Sequence, residues 1–129
     1  MAAAEGAHLA NYVFDELKNE KSRQKPVQLH LNHVALQNSN FQLQWQRGQT
    51  LANYQNLCKR LMEMPANLLT PIKFAEEAQR LTEPLGVKVI VHDRKWAEEK
   101  GMNSFLSVSN GSVQPPKFVE LHYNNSNLI

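Results

Sequence analysis

Two prolines, Pro65 and Pro71, divide this chain more sharply than any other feature of its sequence. Proline lacks a backbone donor and restricts the residue before it to extended geometry, so Met64 and Thr70 are predicted helix boundaries. Thr70 followed by Pro71 is also a helix start, with a hydroxyl N-cap and a proline at the first helical position. The segment therefore predicts that one helix ends, the chain turns, and a second helix begins.

The chain before this segment is predicted to begin with a helix and then a strand. Leu9, Val13 and Leu17 recur every four residues, which predicts an amphipathic helix over Ala2–Glu20. Apolar and polar residues alternate over Val27–Leu36, and this period of two predicts a half-buried strand.

The longest predicted helix spans Phe41–Met62. Its apolar residues fall on one stripe, namely Leu51, Tyr54, Cys58 and Leu61. The position of Cys58 on this stripe predicts a buried structural thiol. We favour that interpretation over a nucleophile because the sequence offers no convincing base partner.

From Pro71 onward the predicted order is helix, strand, helix, strand. The elements are a helix over Pro71–Leu81, a strand over Val87–Val91, a short helix capped by Asp93, a turn or short helix over Ser104–Val108, and a strand over Phe118–Tyr123. This order is typical of an α/β domain with a parallel or mixed sheet. Because two strands do not make a complete sheet, the fold class is α/β, as an incomplete piece of a larger fold.

Composition excludes several classes of protein. The 129 residues are 42% hydrophobic and 20% charged, as in one ordinary globular domain. The net charge of +2 and the scattered basic residues do not indicate a nucleic-acid partner. No apolar run is long enough to cross a membrane, and the N-terminus lacks the pattern of a secretory signal or transit peptide. A single cysteine rules out an internal disulfide, and we predict a cytoplasmic protein.

Two histidines within the predicted first strand are candidate metal ligands. His30 and His33 lie three residues apart, so on a strand they point to opposite faces and cannot share an ion without a bulge. We therefore favour a structural interpretation of both.

Two further groups of residues have candidate chemistry. His92 and His122 fall on two predicted strands, and Asp93, Glu98 and Glu99 fall on the short helix after the first of them. We interpret the histidines as residues at a sheet edge. The acidic residues are interpreted as a helix cap and a solvated helix face.

Several stretches of the sequence together resemble one family. They are Asn53–Leu61, the run Met64-Pro65-Ala66-Asn67-Leu68-Leu69-Thr70-Pro71 with Phe74-Ala75-Glu76, Trp96–Met102, Ser104–Val108, Gly111-Ser112, Pro115-Pro116, and Phe118–Tyr123. The family is the leucyl aminopeptidases, also called cytosol aminopeptidases. The first helix, with Tyr12–Leu17, also looks like the last helix of that family's N-terminal domain, and the match is weakest over Pro26–Gln46.

The resemblance implies a division of the chain. Residues 1–40 correspond to the end of the N-terminal domain, residues 41–64 to a long interdomain helix, and residues 65–129 to the beginning of the catalytic domain, before its metal site. The family binds two divalent metals, zinc or manganese, through residues that follow a Gly-Lys-Gly segment and an Asn-Thr-Asp-Ala-Glu-Gly-Arg segment. Neither segment occurs in this sequence. No catalytic, cofactor-binding or metal-binding residue is therefore assigned to this chain.

The resemblance also implies an activity for the complete enzyme. Such an enzyme releases N-terminal amino acids from peptides, with a preference for leucine, and is typically a hexamer. We expect this chain alone to be inactive, because it lacks the metal and catalytic segments. One alternative is a non-catalytic truncated paralogue or isoform that binds full-length subunits. Another is an incomplete product whose uncovered apolar stripes favour aggregation.

Overall fold

The computed structural model describes residues 1–25, 27–32 and 37–124, and the chain divides into two compact units. The first unit is Met1–Met64 and the second is Pro65–Ile129. The division falls at the predicted boundary before Pro65, where Met64 has the extended backbone (φ −67°, ψ 129°) that a following proline favours.

The first unit is built on the contact between two helices. Helix α1, Ala2–Ala10, packs against the long helix α2, Ser39–Glu63. Small residues form this contact, because Ala4, Gly48 and Ala52 are buried in it. The helices are so close that a Cβ added at Gly48 would lie 2.3 Å from the carbonyl oxygen of Met1. Helix α2 therefore buries its face of small residues.

The apolar stripe of α2 does not lie on the face that packs against α1. The prediction that this stripe, with Cys58, is buried is therefore wrong. Leu51 is 45% exposed, Tyr54 is 51% exposed, and Cys58 is exposed. Helix α1 packs on the other face because Gly48 and Ala52 allow two backbones to approach closely, which larger side chains do not. The thiol of Cys58 is consequently a surface group in the first unit.

The first helix is shorter than predicted. Helix α1 ends at Ala10 with Asn11 as its C-cap, and the predicted continuation to Glu20 is wrong. Hydrogen bonds between side chains and the backbone hold the next residues in turns and a short 3-10 helix at Glu20–Ser22. Asn11 Nδ2 donates to the oxygen of Val27 at 2.7 Å, and the nitrogen of Gln24 donates to Asp15 Oδ2 at 2.7 Å. Such bonds compete with the helical pattern and override its apolar period.

The strand predicted over Val27–Leu36 is absent from the part that the structure describes. Residues 27–32 are not part of a sheet, and residues 33–36 lie outside the described ranges. The alternation still has a physical basis, because Leu29 and Leu31 are half-buried and line a cavity with Trp45. A strand also needs a hydrogen-bonded partner, and sequence alternation does not supply one.

The second unit has the predicted order of elements. Its helices and strands are α3 at Pro71–Thr82, β1 at Lys88–His92, α4 at Arg94–Glu99, α5 at Asn103–Ser109 and β2 at Phe118–His122. Thr70 caps α3 as predicted, since its Oγ1 accepts a hydrogen bond from the nitrogen of Lys73 at 3.4 Å. The left-handed backbone of Gly86 (φ 77°) follows α3 and leads into β1.

The two strands of the second unit run antiparallel. The register pairs Lys88 with His122, Ile90 with Glu120, and His92 with Phe118. A purely parallel sheet, one of the two predicted forms, is therefore wrong for this pair. The fold is helices with a small two-stranded sheet, an incomplete piece of an α/β fold. Buried side chains in this unit include Ala75, Ala97 and Leu106.

Candidate functional site

Three titratable side chains meet on one face of the two-stranded sheet. Residues paired across antiparallel strands share a face, as do alternate residues along a strand, so the register places His92, Glu120 and His122 together. His92 Nε2 lies 2.7 Å from Glu120 Oε1, and His122 Nε2 lies 2.7 Å from Glu120 Oε2. One carboxylate thus accepts hydrogen bonds from two imidazoles, one on each strand.

The two imidazoles determine the ionisation of the carboxyl group between them. Hydrogen bonds from His122 and then His92 hold the pKa of Glu120 below its ordinary value. A carboxyl group with a lowered pKa is a permanent acceptor at neutral pH, and a general acid would need the opposite shift. The cluster therefore has the chemistry of a structural hydrogen-bond bridge.

Aromatic contacts fix His92 on its other side. Its ring stacks on Trp96, with centroids 3.8 Å apart and planes 14° from parallel. Phe118 lies next to Trp96, at 5.3 Å, and Phe105 meets Phe118 edge-on at 6.0 Å. The interpretation of His92 and His122 as edge histidines missed Glu120. The signal was available, because Glu120 and His122 alternate on one face of the predicted last strand.

The acidic residues of α4 have the structural roles that the sequence predicted. Asp93 caps the helix, with its Oδ1 accepting from the nitrogen of Trp96 at 3.0 Å, and this backbone bond lowers the pKa of Asp93. Glu98 accepts from Arg94 Nε at 3.0 Å, and Glu99 lies 3.9 Å from Lys95 Nζ. The helix cap and the solvated face are therefore confirmed.

Of the two histidines considered as metal ligands, His30 and His33, the structure describes only His30. His30 is exposed, and its Nε2 lies 3.4 Å from Gln28 Oε1. His33 lies outside the described residues, so the prediction that these two side chains do not share a metal stays a prediction.

A polar cavity of about 370 Å³ lies in the first unit. His8, Tyr12 and Asn56 are among the residues that line it. Tyr12 donates its hydroxyl to Glu63 Oε2 at 2.7 Å, and desolvation together with this carboxylate raises the pKa of Tyr12 to about 12. A phenol with this pKa remains protonated at neutral pH, so it does not serve as a base there.

The described residues do not fit the metal pair that the family resemblance implies. Across residues 1–25, 27–32 and 37–124, no three side chains of His, Cys, Asp or Glu are placed where they could hold a metal ion. The cluster of His92, Glu120 and His122 is therefore not placed to hold a metal ion either. We therefore derive no catalytic step through a metal from this chain.

Comparison with known proteins identifies the family. The model of the cytosol aminopeptidase family, catalytic domain, matches residues 56–128, which is more than half of the chain. This chain belongs to the cytosol aminopeptidase family. The resemblance found in the sequence is thereby confirmed.

The relatives are cytosol aminopeptidases, and this chain spans about a quarter of the length of each. The cytosol aminopeptidase of Bos taurus is 44% identical over 127 residues, which cover 97% of this chain and 23% of the relative. The Sus scrofa protein is 46% identical with the same coverage. A probable cytosol aminopeptidase of Aquifex aeolicus is 37% identical over 95% of this chain and 24% of its own length.

Solved structures of a related enzyme share the fold. The bottromycin maturation enzyme BotP matches 94% of this chain and 25% of its own, with a TM-score of 0.77 and 28% identity. Its structure in complex with Mn matches with a TM-score of 0.74 and 27% identity, over 97% of this chain and 25% of that one.

Among the helices that the structure describes, none is long and apolar enough to cross a membrane.

Proposed function

We propose that this chain is the segment of a leucyl aminopeptidase that joins the N-terminal domain to the catalytic domain. Residues 1–40 form the end of the first domain, residues 41–64 the helix between domains, and residues 65–129 the start of the catalytic domain. The match of the catalytic-domain model to residues 56–128 is the observation that carries this proposal. That match begins within α2, so most of the first unit precedes it.

The activity proposed for the complete enzyme is the release of N-terminal amino acids from peptides, with a preference for leucine. Two divalent metals, zinc or manganese, a cytoplasmic location and a homo-oligomer, a hexamer, belong to the same proposal. It is supported by the cytosol aminopeptidases that are 44% and 46% identical to this chain. The neighbour solved in complex with Mn supports the choice of manganese.

A chimera tests the segment directly. The 127 matched residues of the Bos taurus cytosol aminopeptidase would be replaced by the corresponding residues of this chain. We expect the chimera to hydrolyse leucine p-nitroanilide with added manganese, because the substituted segment supplies scaffold and leaves the rest of that enzyme in place. A second chimera carrying Gly48→Leu is the matched control, since a side chain there separates α1 from α2. A correctly folded first chimera without activity would contradict the proposal.

The isolated chain is proposed to be inactive. No group of three potential ligands for a metal ion occurs in the part that the structure describes, which supports this proposal. Purified chain would be assayed with leucine p-nitroanilide and manganese, beside the full-length Bos taurus enzyme as a positive control. We expect turnover only in the control. Metal-dependent turnover by the chain, abolished by a chelator and absent from a mock purification, would refute inactivity.

A second candidate function is a non-catalytic chain that binds full-length subunits. The exposed apolar residues favour it, since Met62 is 85% exposed and both Leu51 and Tyr54 are about half exposed. Mixing the chain with a full-length relative and sizing the mixture would reveal co-elution. A variant with Leu51→Glu and Tyr54→Glu should no longer co-elute with the relative. If the unchanged chain does not co-elute either, this function is ruled out.

A further inference from the structure

The pair Asn110-Gly111 is placed where its chemistry is accessible. It is the only Asn-Gly pair in the sequence, and it follows helix α5. Asn110 is the exposed C-cap of that helix, with φ −65° and ψ −16°. A Cβ built on Gly111 would meet only the oxygen of Val108, at 3.7 Å, so the surroundings of this glycine are open. Both residues of the pair are exposed.

An arginine donates to the side-chain carbonyl of Asn110. Arg94 Nη2 lies 2.6 Å from Asn110 Oδ1. Two further bonds hold the same guanidinium, from Nη1 to Ser109 Oγ at 3.3 Å and from Nε to Glu98 Oε1 at 3.0 Å. A fixed cationic donor on a carbonyl oxygen stabilises the negative charge that develops there when the carbonyl carbon is attacked.

We propose that Asn110 is a site of spontaneous deamidation and that Arg94 promotes the reaction. The nitrogen of Gly111 loses its proton to solvent and bonds to Asn110 Cγ, and the charge that forms on Oδ1 faces Arg94. The Cγ–Nδ2 bond then breaks, and Nδ2 takes a proton from water and leaves as ammonia. A second water opens the resulting five-membered imide at either carbonyl and leaves aspartate or isoaspartate at position 110. No oxidant or reductant is required.

The backbone hydrogen bond that must open is a long one. Gly111 donates its N–H to the oxygen of Val108 at 3.4 Å, beyond the usual range of such bonds. Its nitrogen can therefore be released without unwinding the helix. In the aspartate product the carboxylate would face Arg94, so the charge-assisted hydrogen bond from Arg94 to the neutral amide would become an ion pair.

The experiment follows this modification in the full chain. The protein would be incubated in mildly alkaline buffer, digested, and analysed by liquid chromatography and mass spectrometry for aspartate and isoaspartate. Asn103, which precedes Ser104 at the start of α5, is the internal reference. We expect conversion at position 110 to be severalfold faster than at position 103. Gly111→Ala should slow it strongly, because a side chain then hinders the attacking nitrogen.

Two variants test the part assigned to Arg94. Arg94→Ala should slow conversion at position 110 severalfold, whereas Lys95→Ala should not, because the Lys95 side chain faces Glu99. In urea, where the contact is lost, wild type and Arg94→Ala should react at the same rate. Equal rates in the folded proteins, faster conversion in Arg94→Ala, or no preference for position 110 over position 103 would overturn the proposal.

Discussion

At the scale of single residues, Glu120 couples protonation to the pairing of two strands. Its carboxylate accepts from His92 on β1 and from His122 on its own strand. Both bonds favour the ionised form and lower the pKa of Glu120. A carboxyl group whose pKa is lower in the folded state stabilises that state above its unfolded pKa, and the contribution is lost as pH falls through the folded pKa.

Glu120→Gln should reduce the amount of folding stability that is lost as pH falls. We expect the wild type to have the higher urea midpoint at neutral pH, and the difference from the variant to shrink as pH falls below the ordinary value of about 4.5. Urea titrations over a series of pH values measure this difference. Glu99→Gln is the control, since Glu99 is largely exposed and pairs with Lys95 at 3.9 Å. A difference that does not change with pH would contradict the bridge.

Tyr12 gives a second prediction at this scale. Desolvation and the hydrogen bond to Glu63 raise its pKa to about 12, so folding is favoured below the unfolded value near 10 and loses this contribution as pH rises through 12. Glu63→Gln should lower the pKa of Tyr12, because the negative charge beside the phenol is removed. Absorbance of tyrosinate would be measured with Tyr54 and Tyr123 changed to Phe. Glu76→Gln is the control, and an unchanged titration in Glu63→Gln would exclude this cause.

The sequence predicted the residues that cap helices, but it did not predict which side chains meet in the folded protein. The caps at Thr70 and Asp93 follow from residue type and sequence position alone, and both are present. The exposure of Cys58 and the bridge through Glu120 depend on which surfaces meet in three dimensions. Sequence period marks an apolar face but does not say whether a partner covers it.

At the scale of elements, the contact between α1 and α2 depends on the absence of a side chain at Gly48. A Cβ there would lie 2.3 Å from the oxygen of Met1, 2.9 Å from Ala4 Cβ and 3.0 Å from the nitrogen of Glu5. Two of these atoms belong to the backbone of α1 and its start, so a flexible side chain cannot yield to relieve the clash. The helix itself must move.

Gly48→Ala should therefore destabilise the first unit. Overpacking costs roughly 1–3 kcal/mol, and the gain in helix propensity returns about 1 kcal/mol, so a net loss of up to about 2 kcal/mol is expected. Urea unfolding followed by circular dichroism measures the change. Gly6→Ala is the matched control within α1, since a Cβ there meets nothing within 4 Å. That variant should be as stable as wild type or more so, and a stabilised Gly48→Ala would contradict the close contact.

Element boundaries were predictable where proline, glycine or a capping residue sets them. Helix α2 ends before Pro65, α3 starts at Pro71, and β1 follows Gly86, as the sequence indicated. The end of α1 was not predictable from its apolar period, because the side chains of Asn11 and Asp15 bond the backbone of Val27 and Gln24 and hold this segment in another conformation. The antiparallel pairing of β1 with β2 likewise depends on the path of the chain between them.

At the scale of the whole molecule, few side chains are buried and many large apolar ones are exposed. The buried apolar residues of the described chain are Ala4, Ala52, Ala75, Ala97 and Leu106. Exposed apolar residues include Met62, Val108 and Val113, the last at 98%. This pattern agrees with an incomplete piece of a larger α/β fold. The chain itself spans about a quarter of the length of its relatives.

The exposed face of α2 should make the isolated chain associate as its concentration rises. Replacing Leu51 and Tyr54 by lysine removes two exposed apolar side chains, so the double variant should remain monomeric at higher concentration than wild type. Sedimentation velocity over a range of concentrations measures this. A double variant with Lys73→Ala and Lys95→Ala, at exposed positions in the second unit, is the control. Association that is unchanged by the α2 variant would show that this face is not responsible.

The intact mass of the native product that contains this sequence shows whether the chain is a segment of a longer aminopeptidase. An antibody against residues 2–20 would detect it in cells that express the gene, and mass spectrometry of the captured protein would give its mass. We expect a protein several times heavier than 14.8 kDa, because the cytosol aminopeptidase relatives are about four times the length of this chain. A product of 14.8 kDa alone would contradict the proposal that this chain is a segment of a longer enzyme, and it would favour a separate, non-catalytic protein.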